Sequence, residues 1–155
     1  MEEINRMKIE IKAVLENVAI VRVAISSFIS TLDITIDELM DIKTAISEAV
    51  TNSIEHGYDE VDDLENKSVI VKAYIYSDND DVIKIEIEDK GVGIEDIETA
   101  MLPTYTSKPE LEHAGMGFTI METFMDEVLI DSSKNEGTKA VSYTHLRAHE
   151  TCADL

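Results

Sequence analysis

The period of apolar and polar positions changes several times along this chain, and each change predicts an element. From Lys8 to Ala13, Ile9 and Ile11 alternate with charged residues, as on an amphipathic strand. From about Asn17 the period becomes helical: Val18, Val21, Ile25, Phe28, Ile29 and Leu32 draw one apolar stripe. Arg22 lies off that stripe and is expected to be exposed. Thr35 followed by Glu38 three residues later is a capping box announcing a second helix. Leu39, Ile42, Ile46, Ala49 and Val50 carry that helix to about His56, and Gly57 supplies a stop.

An acidic loop, Asp59 to Glu65, precedes two strongly alternating runs, Ser68–Tyr76 and Val82–Glu88. Joined by Asp78-Asn79-Asp80-Asp81, they predict an antiparallel hairpin. A short helix near Ile94–Ala100 leads into an aperiodic segment holding both prolines, Pro103 and Pro109. A helix over Phe118–Met125, a strand over Val128–Asp131, a turn at Lys134–Gly137 and a last strand from Thr138 complete the pattern. There is no internal repeat and no dividing linker. Helices beside an antiparallel or mixed sheet make a two-layer α/β sandwich.

The length of 155 residues fits one domain with a sizeable core. A net charge of −20 disfavours direct nucleic-acid binding and favours a basic protein partner, although solubility alone would also account for such acidity. The lone Cys152 precludes an internal disulfide and suits a reducing compartment. The acidic start, Met1-Glu2-Glu3, lacks the basic stretch of a signal peptide, and no apolar run approaches the ~20 residues of a membrane span. A cytoplasmic location is expected.

Three stretches carry candidate chemistry. Glu48, Asn52 and His56 recur every four residues on one face of the second helix. An amide oxygen there suits Mg²⁺, a hard ion that prefers oxygen, and the carboxylate one turn away could take a proton from a hydroxyl. Taken alone, the spacing is also that of an ordinary solvated face. Asp89-Lys90-Gly91-Val92-Gly93 follows a strand directly. Its glycines let backbone approach a ligand and its Asp accepts a hydrogen bond, but a plain turn reads the same way. Gly115-Met116-Gly117-Phe118 opens a helix, where free N–H groups cradle phosphate or merely mark helix entry. No Gly-Lys-Ser/Thr follows, so it is not a P-loop. Gly137-Thr138, after another strand, is weaker still.

The order of these stretches resembles the four-box signature of the GHKL superfamily, which includes histidine-kinase ATP domains, gyrase-type ATPases and anti-sigma-factor serine kinases. The likeness runs from Lys8 to Val141. Ser47-Glu48-Ala49-Val50-Thr51-Asn52, Thr106-Ser107-Lys108-Pro109-Glu110-Leu111-Glu112 and Gly115-Met116-Gly117-Phe118-Thr119-Ile120-Met121-Glu122 are similar to the anti-sigma-factor kinases of spore-forming bacteria. The resemblance implies the Bergerat-type ATP-binding fold over residues 1–141, a mixed sheet with helices on one face, and bound Mg-ATP. It implies that Glu48 is the catalytic base, that Asn52 binds the metal, and that Asp89, helped by Thr138, reads the adenine amino group. Gly91, Gly93, Gly115, Met116, Gly117 and Phe118 would line the nucleotide, and Lys108, in a lid, would meet the outer phosphates. A serine on an anti-anti-sigma protein would be the phosphoryl acceptor, a sigma factor would be sequestered, and Arg22 would contact both proteins. A homodimer is implied, with the first strand and first helix near its interface.

Two features depart from the family pattern. His113 stands where an arginine is expected before the lid's final glycine, which would alter any guanidinium contact. Residues 142–155 do not resemble the family's end and are either a divergent last strand or a non-native tail. His145, His149 and Cys152 there do not have zinc-ligand spacing. The rival reading is a nucleotide-gated sigma-binding module without kinase activity, which would not need Glu48. A gyrase-type switch would need a transducer domain, for which 155 residues leave no room. A histidine-kinase fragment would need a dimerisation helix with a phospho-accepting His ahead of the first strand.

Overall fold

A computed structural model describes residues 1–57, 67–89, 125–133 and 137–146. Five strands form one sheet: β1 (Glu2–Lys12), β2 (Ser68–Ser77), β3 (Asp81–Asp89), β4 (Glu127–Ser133) and β5 (Gly137–Leu146). Their spatial order is β1-β2-β3-β5-β4. Two helices, α1 (Val18–Ile29) and α2 (Ile36–Asn52), cover one face. All four strand pairings are antiparallel, so among the described strands the antiparallel alternative is realised and the mixed sheet implied by the resemblance is not found. β2 and β3 meet in a tight hairpin, which enforces that direction.

Alternation decides which face is covered. Val69, Val71, Ala73 and Ile75 of β2 and Ile83, Ile85 and Ile87 of β3 point into the core. They meet Val21, Ile25 and Ile29 of α1 and Ile42, Ile46 and Val50 of α2, all essentially inaccessible to water. Each buried valine or isoleucine among them contributes about 1.5–3 kcal/mol of transfer free energy. The helical stripes thus pack as their spacing predicts, with Leu32 half-buried against the cluster. β1 begins earlier than its alternation suggests, because Glu2–Lys12 pairs along nearly all of β2 despite a register shift between Glu3 and Asn5.

The capping box at the start of α2 forms in full. Thr35 Oγ1 accepts from the Glu38 N–H at 3.1 Å, and the Thr35 N–H donates to Glu38 Oε1 at 3.1 Å. A cap of this kind is worth about 1 kcal/mol. At its other end α2 stops at Asn52, four residues before the expected His56, and winds into a π turn over Ser53–Gly57. The Ser53 N–H is shared between the carbonyls of Ala49 and Val50, a three-centre bond at the helix end. That turn lies against β3 and β5, where Ile54 packs on the core.

The opposite face of the sheet carries a polar and aromatic network. Lys84 lies 5.3 Å from the ring centre of Tyr74 and 5.9 Å from that of Tyr143, while Glu86 pairs with Lys84 at 3.6 Å and Lys139 at 3.3 Å. Burial and then the Glu86 charge raise the Tyr74 hydroxyl above its ordinary value. Burial would lower the Lys84 ammonium, but Glu86 and the flanking tyrosines outweigh it and hold it above its ordinary value.

The last strand runs through Leu146, so residues 142–146 of the unfamiliar end pair with β3, and Ser142 and Leu146 are buried. The helix expected near 94–100, residues 118–124 of the helix expected over 118–125, the segment with both prolines, His113, His149 and Cys152 lie outside the described residues, while Met125 is buried in a bend.

Ile46 is wholly buried between α2 and the sheet. Ile46→Ala should lower the unfolding free energy by about 2–5 kcal/mol through lost contact and a residual cavity, read from the urea midpoint at unchanged slope.

Candidate functional site

The apolar stripe of α2 decides where its polar residues go. With Ile42, Ala45, Ile46, Ala49 and Val50 fixed against the sheet, Glu48 and Asn52 fall together at the border of the buried face. Glu48 is half-buried and its Oε2 is out of reach of solvent. Asn52, also half-buried, is the last residue of the helix. The π turn that follows carries the helix end down onto β3 and β5.

Asp89 is the final residue of β3 and is only 3% exposed. Across the ladder its register partner is Thr138, the second residue of β5. Residues opposite one another in an antiparallel pair project to the same side of the sheet, so the carboxylate and hydroxyl form a polar pair at one strand end. Gly137, just before Thr138, has φ 92°, a left-handed conformation that glycine adopts without a Cβ clash. Two stretches about fifty residues apart in sequence are therefore joined by strand pairing, and the end of α2 leans on the same two strands.

Arg22, exposed on α1 as expected, donates from Nε to Ser47 Oγ of α2 at 2.9 Å. Beside this bridge is a cleft of about 330 Å³ lined by Arg22, Met40, Lys43, Thr44, Ser47 and Glu48. Lys43 and Thr44 of this lining are not singled out by the sequence reading. Their signal was available: Lys43 is the sole basic residue of α2, and 43, 44, 47 and 48 share one helical face.

The donor set fits a nucleotide with a hard cation. An amide oxygen, a sheltered carboxylate oxygen and a buried strand-end carboxylate opposite a hydroxyl match, in turn, a metal bound to phosphate, a proton to be removed, and an exocyclic amino group. Gly91, Gly93, Lys108, Gly115, Met116, Gly117 and Phe118 lie outside the described residues.

Residues 11–143 match the histidine kinase-like ATPase domain family. The anti-sigma F factor of Clostridium perfringens (strain SM101) is 56% identical over 137 residues, covering 88% of this chain and 94% of that protein. The chain belongs to the anti-sigma F factor family. Its relatives in Clostridium beijerinckii and Clostridium novyi are 54% and 47% identical, across 92% and 98% of their own lengths. Among solved structures, the RsbU and RsbW domains of a Mycobacterium tuberculosis protein superpose with a TM-score of 0.64 at 19% identity. That likeness covers 95% of this chain and 34% of the solved one. The histidine kinase domain of a blue-light-activated kinase from Erythrobacter litoralis gives a TM-score of 0.52 at 15% identity, over 84% of this chain and 59% of the other. At these identities the two structures speak for the fold, which is the histidine-kinase-like α/β sandwich of this family.

The Arg22–Ser47 bridge is a local tie between two helices whose main attachment is apolar. Ser47→Ala should therefore lower stability by less than about 1.5 kcal/mol and keep the cooperative transition, as followed by circular dichroism on heating.

Proposed function

We propose that this protein binds Mg-ATP, sequesters a sigma factor, and phosphorylates a serine on an anti-anti-sigma protein. The reading is supported by Glu48 and Asn52 at the border of the buried face of α2 and by Asp89 opposite Thr138 at a strand end, in a chain of the anti-sigma F factor family. The relatives' name supplies the sigma factor as a partner, and the family's kinase-like ATPase domain supplies the nucleotide.

The bound Mg-ATP would supply the phosphoryl group and the charge neutralisation that its transfer requires. Asn52 would hold the metal through its amide oxygen. Asp89, buried at the end of β3, would accept from the adenine amino group with Thr138 opposite it. Gly91, Gly93, Gly115, Met116, Gly117, Phe118 and Lys108, outside the described residues, would serve the nucleotide and its outer phosphates as the family resemblance implies. Glu48 removes the proton of the acceptor serine as that oxygen bonds to the terminal phosphorus and the bridge to ADP breaks. Its location at the edge of a cleft suits this role, because an acceptor can reach it from outside. Phosphorylation adds close to two negative charges to a partner docked on a chain of net charge −20, which drives the product away.

Arg22 would meet both protein partners, consistent with its exposure on α1. The protein would act in the cytoplasm as a homodimer, with β1 at the sheet edge and the neighbouring α1 surface facing the second copy.

Incubation with Mg-ATP and the anti-anti-sigma protein should add one phosphoryl group to that partner by intact-mass spectrometry. ATP binding without any addition would leave the nucleotide-gated binding module as the better reading. Asn52→Ala should weaken Mg-ATP binding at least tenfold, about 1.4 kcal/mol, by calorimetry; unchanged affinity removes Asn52 from the metal. Glu48→Gln should keep nucleotide affinity and lose about 10²–10⁴-fold in transfer rate, whereas retained transfer would reduce Glu48 to a positioning role.

A further inference from the structure

Residues 15–57 hold seven carboxylates and two Lys or Arg side chains, Arg22 and Lys43. Both of those cations line the same cleft, and it opens onto Glu48. Neither has a carboxylate within ion-pair distance among the described residues, although acids are abundant on both helices. Arg22 is instead held toward α2 by the hydroxyl of Ser47, which fixes its guanidinium at the cleft rim. Two cations without a carboxylate partner among the described residues, held together on two helices otherwise rich in acids, are poised for an anion from outside.

The cleft continues along α2 into exposed apolar surface. Met40, 51% exposed, lines the cleft, and Ile36, 77% exposed, lies one turn further toward the start of the helix. Positions 36, 40, 43, 44, 47 and 48 follow the spacing of one helical stripe, so the exposed side of α2 runs from apolar through basic to the carboxylate. Such large apolar side chains are ordinary singly, but here they extend a charged cleft beside the candidate base.

We infer that this stripe is the track on which the acceptor segment of the phosphorylated protein lies in extended form. The inference rests on the kinase reading for its reaction, though docking can be measured without it. The serine sits at Glu48, a carboxylate of the segment meets Lys43 and Arg22, and an apolar side chain covers Met40 and Ile36. Helical rise sets the spacing. Lys43 and Met40 lie about 7.5 Å and 12 Å from Glu48 along the axis, equivalent to about two and three to four residues of extended chain. The acidic residue is therefore expected about two positions from the serine, and the apolar one beyond it on the same side.

The test uses the full-length chain and a serine-bearing anti-anti-sigma protein. Initial rates at saturating Mg-ATP are measured for the wild type, Lys43→Glu and Met40→Ser, with ATP affinity as the check on the nucleotide site. Both altered side chains are at least partly solvent-exposed, so the fold should tolerate the changes. KM for the acceptor should rise about tenfold or more in Lys43→Glu and severalfold in Met40→Ser, with kcat changing far less. An acceptor whose acidic residue near the serine is replaced by lysine should recover against Lys43→Glu. KM within about twofold of wild type in both variants, or a loss confined to kcat, overturns the track. So does a defect seen only in sigma-factor binding, which would assign the stripe to that partner. If the wild type transfers no phosphoryl group, the kinase reading fails separately and the acceptor's Kd decides by calorimetry. Weakening of about tenfold or more by Lys43→Glu then supports the track. An equal Kd, or no binding by the wild type, overturns it.

Discussion

The rest of the molecule depends on the burial of one sheet face by two helices. Val69, Val71, Ile75, Ile83, Ile85 and Ile87 present a continuous apolar surface that water cannot cover without cost, and α1 and α2 each offer a stripe to match it. Once Ile42, Ile46, Ala49 and Val50 are seated, α2 cannot rotate without exposing them. Its remaining faces are then assigned by geometry alone. Glu48 and Asn52 are held at the border of the core, while Ile36, Met40, Lys43 and Thr44 face outward. Candidate chemistry and candidate recognition thus occupy adjacent strips of one anchored helix.

Charge is distributed with similar economy. A chain of net −20 would repel phosphate groups if its acids were spread evenly. Instead the outer sheet face pairs Glu86 with Lys84 and Lys139 and encloses Lys84 between tyrosine rings. The described helices keep their two cations together beside Glu48. The acidic remainder repels other anions and attracts basic proteins, which suits a regulator whose partners would include a DNA-binding protein.

Much of the fold is legible in local pattern. The stripes of α1 and α2, the capping box at Thr35, the β2–β3 hairpin and the exposure of Arg22 all follow from periodicity and short-range chemistry. Departures occur where non-local contacts take over. β1 extends back to Glu2 because β2 offers a full-length partner, and α2 yields to a π turn at Asn52 because its end must reach β3 and β5. β5 keeps its register through Leu146 because β3 continues opposite it, although the sequence there is unfamiliar.

The candidate site divides along the same line. Residue types and spacing single out Glu48 and Asn52 on a helix and Asp89 after a strand, since a helical turn and a strand end are local facts. That Asp89 faces Thr138 is a matter of register between strands distant in sequence, and no local period encodes it. That Lys43 joins Arg22 beside Glu48 depends on how two helices cross, with the Arg22–Ser47 hydrogen bond fixing one cation at the rim. The sequence by itself determined which groups exist and which face of each element they share, because those follow from backbone periods of 2 and 3.6. Only the tertiary structure decided which faces meet, because strand register and helix seating are set by the burial of the whole core.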